Sequence, residues 1–161
     1  MALDRTNMVS LLDIGLLSGS TSKIVEMGDG FTELTEDWAP NTESKQYVNN
    51  KTSSNNVKGY AFSMSPQREY LSDEMQKAID NLSKDFPTGA DCETFYYRYY
   101  KSDMTGDPMS GDCIKVPVTV CISSVGGAGG DVLTSTIQIN GNGDADKGTA
   151  TISSTGEFSF T

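Results

Sequence analysis

KGYAFSMSPQREYLSDEMQKAIDNLSKDF, residues Lys58 to Phe86, decides the fold class. In its first part Tyr60, Phe62 and Met64 alternate with Ala61 and Ser63, the period of two that puts one set of side chains on a single face of a strand. Ser65 and Pro66 end that run, because proline has no N–H to give to a ladder. After QREYL the period lengthens. Met75, Ala78, Ile79, Leu82 and Phe86 recur at three and four residues, which predicts a helix over 72–86. Ser72 is its expected N-cap, Asp73 and Glu74 suit the positive end of the helix dipole, and Pro87 with Gly89 stops it. Gln76, Lys77, Asp80, Asn81 and Lys84 form the expected solvent face. The other readable segments are strand or loop, so the expected fold is mainly β with one helix: a β-sandwich or partial barrel flanked by an α-helix.

Upstream, Val9 to Leu17 and Lys23 to Met27 read as short strands. Between them and the opening segment, TEDWAPNTESKQYVNNKTSSNNV at 35–57 is rich in Asn, Ser and Thr, whose side chains compete for backbone hydrogen bonds and favour turns. A loop of about 20 residues is expected here, long enough to imply a disordered segment, a lid or a binding element. It contains the single tryptophan, Trp38, which either meets a partner or pins the loop to the core.

Downstream, CETFYYRYYK at 92–101 is a strand with Phe95, Tyr97 and Tyr99 on one face and Tyr96 and Tyr100 on the other, so both faces should meet something. Ile114, Val116, Val118, Val120 and Ile122 then alternate with Lys115, Pro117, Thr119 and Cys121. Pro117 requires that strand to be at an edge or to carry a bulge. The glycine-rich 126–131 reads as a flexible hairpin tip, followed by a strand over 132–139, a turn at 140–148 and further strands through Phe158 and Phe160, an antiparallel meander.

A chain of 161 residues suits one domain, here 1–161. Its 12 basic and 22 acidic residues give a net charge of -10, which disfavours attraction to nucleic acid backbones. Asp13 interrupts the apolar run near the N-terminus, so no secretion signal is expected, and no stretch is long and apolar enough to predict a membrane span. Cys92, Cys113 and Cys121 lack metal-site or disulfide-framework spacing.

Chemistry is sparse. The sequence holds no histidine, which removes the usual general base and most zinc sites. Asn142, Asp144 and Asp146 imitate the start of a calcium loop, but Lys147 stands where glycine is required and Ser153 where glutamate is. The glycines at 126, 127, 129 and 130 do not complete a phosphate-binding pattern. No catalytic, cofactor-binding or metal-ligating residue is assigned, no cofactor is expected, and an enzyme is not expected.

The N-terminal MALDRTNMVSLLDIG, the polar EDWAPNTESKQYVNNKTSSNNVKGY, the strand YAFSMS, the helix SDEMQKAIDNLSKDF and the β-rich second half ending in FSFT resemble the major tail protein, or tail tube protein, of long-tailed bacteriophages and prophages. The resemblance lies in element order and covers nearly the whole chain. It implies a structural virion protein, assembled in the bacterial host cytoplasm. Six copies would form a ring, rings would stack into a tube, and DNA would pass through an acidic lumen without specific binding. Tail terminator, tape measure and baseplate proteins would be its partners. The resemblance also implies that 1–20 is an N-terminal arm and 35–57 an inter-ring loop, with Arg5, Trp38, Asn41, Glu43, Lys45 and Tyr47 as expected inter-ring contacts. The inner tube of a contractile tail or injection machine shares these features. A β-sandwich adhesion or glycan-binding module, stacking sugars on the aromatic strand, is the alternative of another class.

Overall fold

The computed structural model describes residues 2–161. The elements run β1 (Met8–Asp13), α1 (Ile14–Leu17), β2 (Ile24–Glu26), β3 (Asn41–Lys45), β4 (Ser54–Gly59), β5 (Ser63–Met64), β6 (Gln67–Glu69), α2 (Glu74–Asp85), β7 (Glu93–Tyr100), β8 (Met109–Gly126), β9 (Thr134–Gly141), β10 (Asp146–Ile152) and β11 (Phe158–Phe160). Nine strands form one sheet, and β3 with β4 forms a separate hairpin.

The alternating run around Val118 is the middle of β8, an 18-residue strand that spans about 55 Å at about 3.3 Å per residue. On one flank it pairs with β7, from Glu93↔Thr119 to Tyr99↔Cys113. On the other, β9 pairs with its second half and β10 with its first. The pairings Val118↔Gly141 and Lys115↔Asp146 leave residues 142–145 opposite Val116 and Pro117 alone. Thus β9 and β10 are one strand interrupted at Pro117, which is how a proline is accommodated in the centre of a sheet. The carbonyl of Pro117 still accepts from the N–H of Asn142 at 2.8 Å. The sheet continues through β7 to β1 and β2, and through β10 to β11, while β5 and β6 lie along β9.

Both faces of this sheet are buried within one chain. Leu12, Tyr96, Val116, Val118, Ile137 and Ile139 face the α2 side chains Met75, Ile79 and Leu82. Val9, Leu11, Tyr97, Cys113 and Ala150 form a second cluster on the opposite face, with Phe158 and Phe160 packed on it. The Phe158 ring is 5.4 Å from Tyr97, although β10 and β8 lie between their strands. Three flat strand spacings would be about 14 Å, so the sheet curls over these aromatics into a partial barrel. The aromatic strand therefore meets its own chain on both sides, with Tyr100 at its end left exposed.

Several expectations need correction. The helix starts at Glu74 with Asp73, not Ser72, as N-cap: the Asp73 carboxylate accepts from the Gln76 N–H at 2.9 Å. Phe86 is the left-handed C-cap, with φ 45°, which swings its ring out of the apolar stripe to 66% exposure. Gln76, expected in water, is buried because the Arg68 guanidinium donates to its Oε1 at 3.2 Å. Tyr60 is 66% exposed, since regular pairing stops at Gly59 and resumes at Ser63, leaving only Phe62 and Met64 of the expected trio in the core.

Val9 to Leu17 is not one strand. Asp13 ends β1, and its carboxylate caps α1 through the Leu16 N–H at 3.3 Å. Within 1–20, expected as an N-terminal arm, Met1 lies outside the described residues, and from Met8 the chain is built into the sheet between β7 and β2, with Val9, Leu11 and Leu12 buried. The strand expected over 132–139 begins at Thr134, leaving Val132 and Leu133 exposed beside the glycine-rich tip.

Candidate assembly interface

The segment 35–57 is a projecting hairpin with a clamped root, instead of an unstructured loop. Glu36 and Trp38 form the root. The Trp38 ring is 4.7 Å from Phe62, and its indole N–H donates to Glu36 Oε1 at 3.0 Å. Tyr96 donates to Glu36 Oε2 at 2.7 Å, and Arg98 lies 3.5 Å from the same carboxylate, whose side chain is only 4% exposed. Two backbone hydrogen bonds between Asp37 and Ser63, and one from Ala61 to the Trp38 carbonyl, tie the root to β5.

Beyond Ala39 the chain leaves the body. Ala39 has φ 32°, and Pro40 then directs the chain into β3. Strands β3 and β4 pair from Asn41↔Gly59 to Lys45↔Ser54, with Lys58 and Glu43 in an ion pair at 2.8 Å. Apart from Glu43 and Gly59, every residue from Asn41 to Gly59 is exposed. Tyr47 is 61% exposed, and Val48 at the tip has no cover at all. A two-stranded hairpin with both faces in water is marginal by itself.

The hairpin also differs in charge from the rest of the chain. It carries Lys45, Lys51 and Lys58 against Glu43, a balance of +2, while the whole chain is at -10, so the remainder stands at -12.

Of the six expected contact residues, the structure brings Asn41, Glu43, Lys45 and Tyr47 together on this hairpin. Trp38 is at the root and half-buried, holding the hairpin to the core. Arg5 is held by its own chain, donating to the carbonyls of Met8 at 3.0 Å and Leu34 at 3.1 Å. Sequence reasoning missed Val48, and it missed Glu36, whose partners Tyr96 and Arg98 come from a distant strand. The proximity of Glu36 to the single tryptophan was the only available signal. Two outer strands, β2 and β11, end the main run of the sheet, each paired with a strand on one side only among the described residues.

No family sequence model and no curated protein sequence matches the chain. Solved structures match it by fold. A chain from the tail of an empty gene transfer agent particle with C6 symmetry superposes with a TM-score of 0.61 at 12% identity, over 90% of this chain and 98% of that one. A chain from the native gene transfer agent virion gives 0.58 at 9%, over 91% and 98%. A chain from the sheath/tube terminator structure of an extracellular contractile injection system gives 0.55 at 6%, over 91% and 96%. The fold is therefore mainly β and tail-tube-like, and the likeness spans almost the whole of each chain. These neighbours come from gene transfer agent particles and a contractile injection system.

Proposed function

We propose that this chain is a structural virion protein that polymerises as stacked hexameric rings into a tail tube, the conduit for DNA ejection into a bacterial host. The observation that carries this reading is the β3–β4 hairpin, paired strand to strand but exposed on both faces, on a fold shared with a sixfold-symmetric tail. The root clamp presents the hairpin to a neighbouring ring, and the free edges of β2 and β11 supply lateral strand pairing within a ring. The chain's acidity suits a lumen through which phosphates slide without binding. Assembly in the host cytoplasm, and tail terminator, tape measure and baseplate partners, belong to the same reading.

A second reading is the inner tube of a contractile tail, favoured by the likeness to the contractile sheath/tube terminator structure. Electron microscopy of the concentrated protein tests both. Hollow tubes or stacked rings of sixfold symmetry are expected, and a monomer at all concentrations overturns the proposal. Decoration of those tubes by a co-produced sheath protein would select the contractile version.

A further inference from the structure

We propose that the groove between α1 and α2 is the receptor for the β3–β4 hairpin tip of another copy of this chain. This deepens the tail-tube reading and rests on it. The groove has a volume of about 500 Å³, within the roughly 300–1,000 Å³ range of binding clefts. Leu16, Leu17, Ala78 and Leu82 give it an apolar floor, Asp85 and Asp91 line it with negative charge, and no basic residue lines it. Both carboxylates are exposed.

The tip has the complementary chemistry. Tyr47 and Val48 project into water between Lys45 and Lys51, so two apolar side chains are bracketed by two cations. Because Val48 is wholly exposed, the tip is not seated in its own chain's groove. Two other grooves of similar size fit less well. The one beside Arg5 and Lys101 is apolar, but its two cations offset Glu26 and Glu33 and leave no net negative charge for a basic tip, and the one beside Glu33 and Asp37 offers only Met64 and Pro66 as apolar lining. A tip that enters a groove elsewhere on the next molecule makes a head-to-tail contact. Such a contact closes into a ring or continues into a filament instead of stopping at a dimer.

Charge reversal in the full-length protein tests this, with tube formation followed by light scattering and electron microscopy. Asp85→Lys with Asp91→Lys should raise the concentration needed for assembly by about tenfold or more, since like charges then face each other. Lys45→Asp with Lys51→Asp should do the same, and mixing the two doubly reversed proteins should restore tubes. Asn81→Trp, which fills the groove without changing charge, should also block assembly at an unchanged melting temperature, and it decides the matter if the reversed groove impairs folding. If the wild type assembles and the groove variants assemble equally well, or if reversed partners fail to rescue each other, the groove is not the receptor, although the tube reading stands. A wild type that never assembles overturns both.

Discussion

The phenol of Tyr96 donates a 2.7 Å hydrogen bond to Oε2 of Glu36, 60 residues earlier in the chain. Burial, and then the Glu36 charge, push the Tyr96 pKa far above its ordinary value, so the phenol remains a neutral donor at any working pH. The Ser10 hydroxyl, 2.9 Å away, can donate to the same phenol oxygen. This arrangement fixes the root of the hairpin against β7. Tyr96→Phe should cost about 2 kcal/mol, the usual worth of a hydrogen bond to a charged group. Urea unfolding measures it, and a loss below about 0.5 kcal/mol would show that Glu36 is held by Trp38 and Arg98 alone.

Asp73 gives the protein an acid-sensitive joint. The hydrogen bond from Arg68 is the main cause holding its carboxyl below the ordinary range, against an opposing push from desolvation. A depressed folded-state pKa contributes stability that is complete above the unfolded value of about 3.9 and disappears as pH falls through the lower folded value. Thermal melts at pH 7 and pH 3 should therefore show a smaller acid-induced drop for Asp73→Asn than for the wild type. Asparagine keeps the helix cap and removes only the charge.

Gly148 leaves room for the last strand. A Cβ at this position would lie 2.4 Å from Cζ of Phe160 and 2.6 Å from the carbonyl oxygen of Thr161. Gly148→Ala should cost about 1–3 kcal/mol through overpacking and should displace β11. Faster amide exchange at Ser159 and Phe160 is the readout.

The hairpin should be dispensable for folding and needed for assembly. Replacing residues 42–58 with a short Gly-Ser linker should change monomer stability by less than about 0.5 kcal/mol, because the removed residues are almost all exposed. Tubes should be lost. A cut beginning at Glu36 would instead remove the buried carboxylate and Trp38 and should destabilise the core as well. Tube formation by the linker variant would refute the role given to the hairpin.

The three thiols should react unequally. Cys121 is exposed, whereas Cys113 is buried and burial pushes its thiol up to about 11; Cys92 is also raised by burial. Brief alkylation of the native protein at pH 8 should label Cys121 alone, with Cys92 and Cys113 labelled only after unfolding, as read by mass spectrometry.

Much of the fold is legible in the residues because hydrophobic period reports local geometry. Val116, Val118 and Val120 alternate and are buried on one face of β8; Met75, Ile79 and Leu82 recur at helical spacing and are buried on α2. Pro117 also announced an irregularity, which the structure places in the facing strand at residues 142–145. The hairpin was harder to read. Residues 41–59 carry no apolar alternation because neither face meets a core, so their polar composition resembled a loop. Asn41, Glu43, Lys45 and Tyr47, named there through the resemblance in element order, all fall on this hairpin.

By itself, then, the sequence determined the elements that bury an apolar face, such as β8 and α2, and which of their side chains share it, because backbone sterics and side-chain spacing act within a few residues. Tertiary structure alone decided which polar groups are inside. Arg68 and Gln76 are buried together, Glu36 is buried by Tyr96 and Arg98, and Tyr60 stays in water despite its strand-like position. The physical reason is that a polar side chain can leave water only when a hydrogen-bonding partner meets it there, and for Glu36 that partner arrives from a strand 60 residues away.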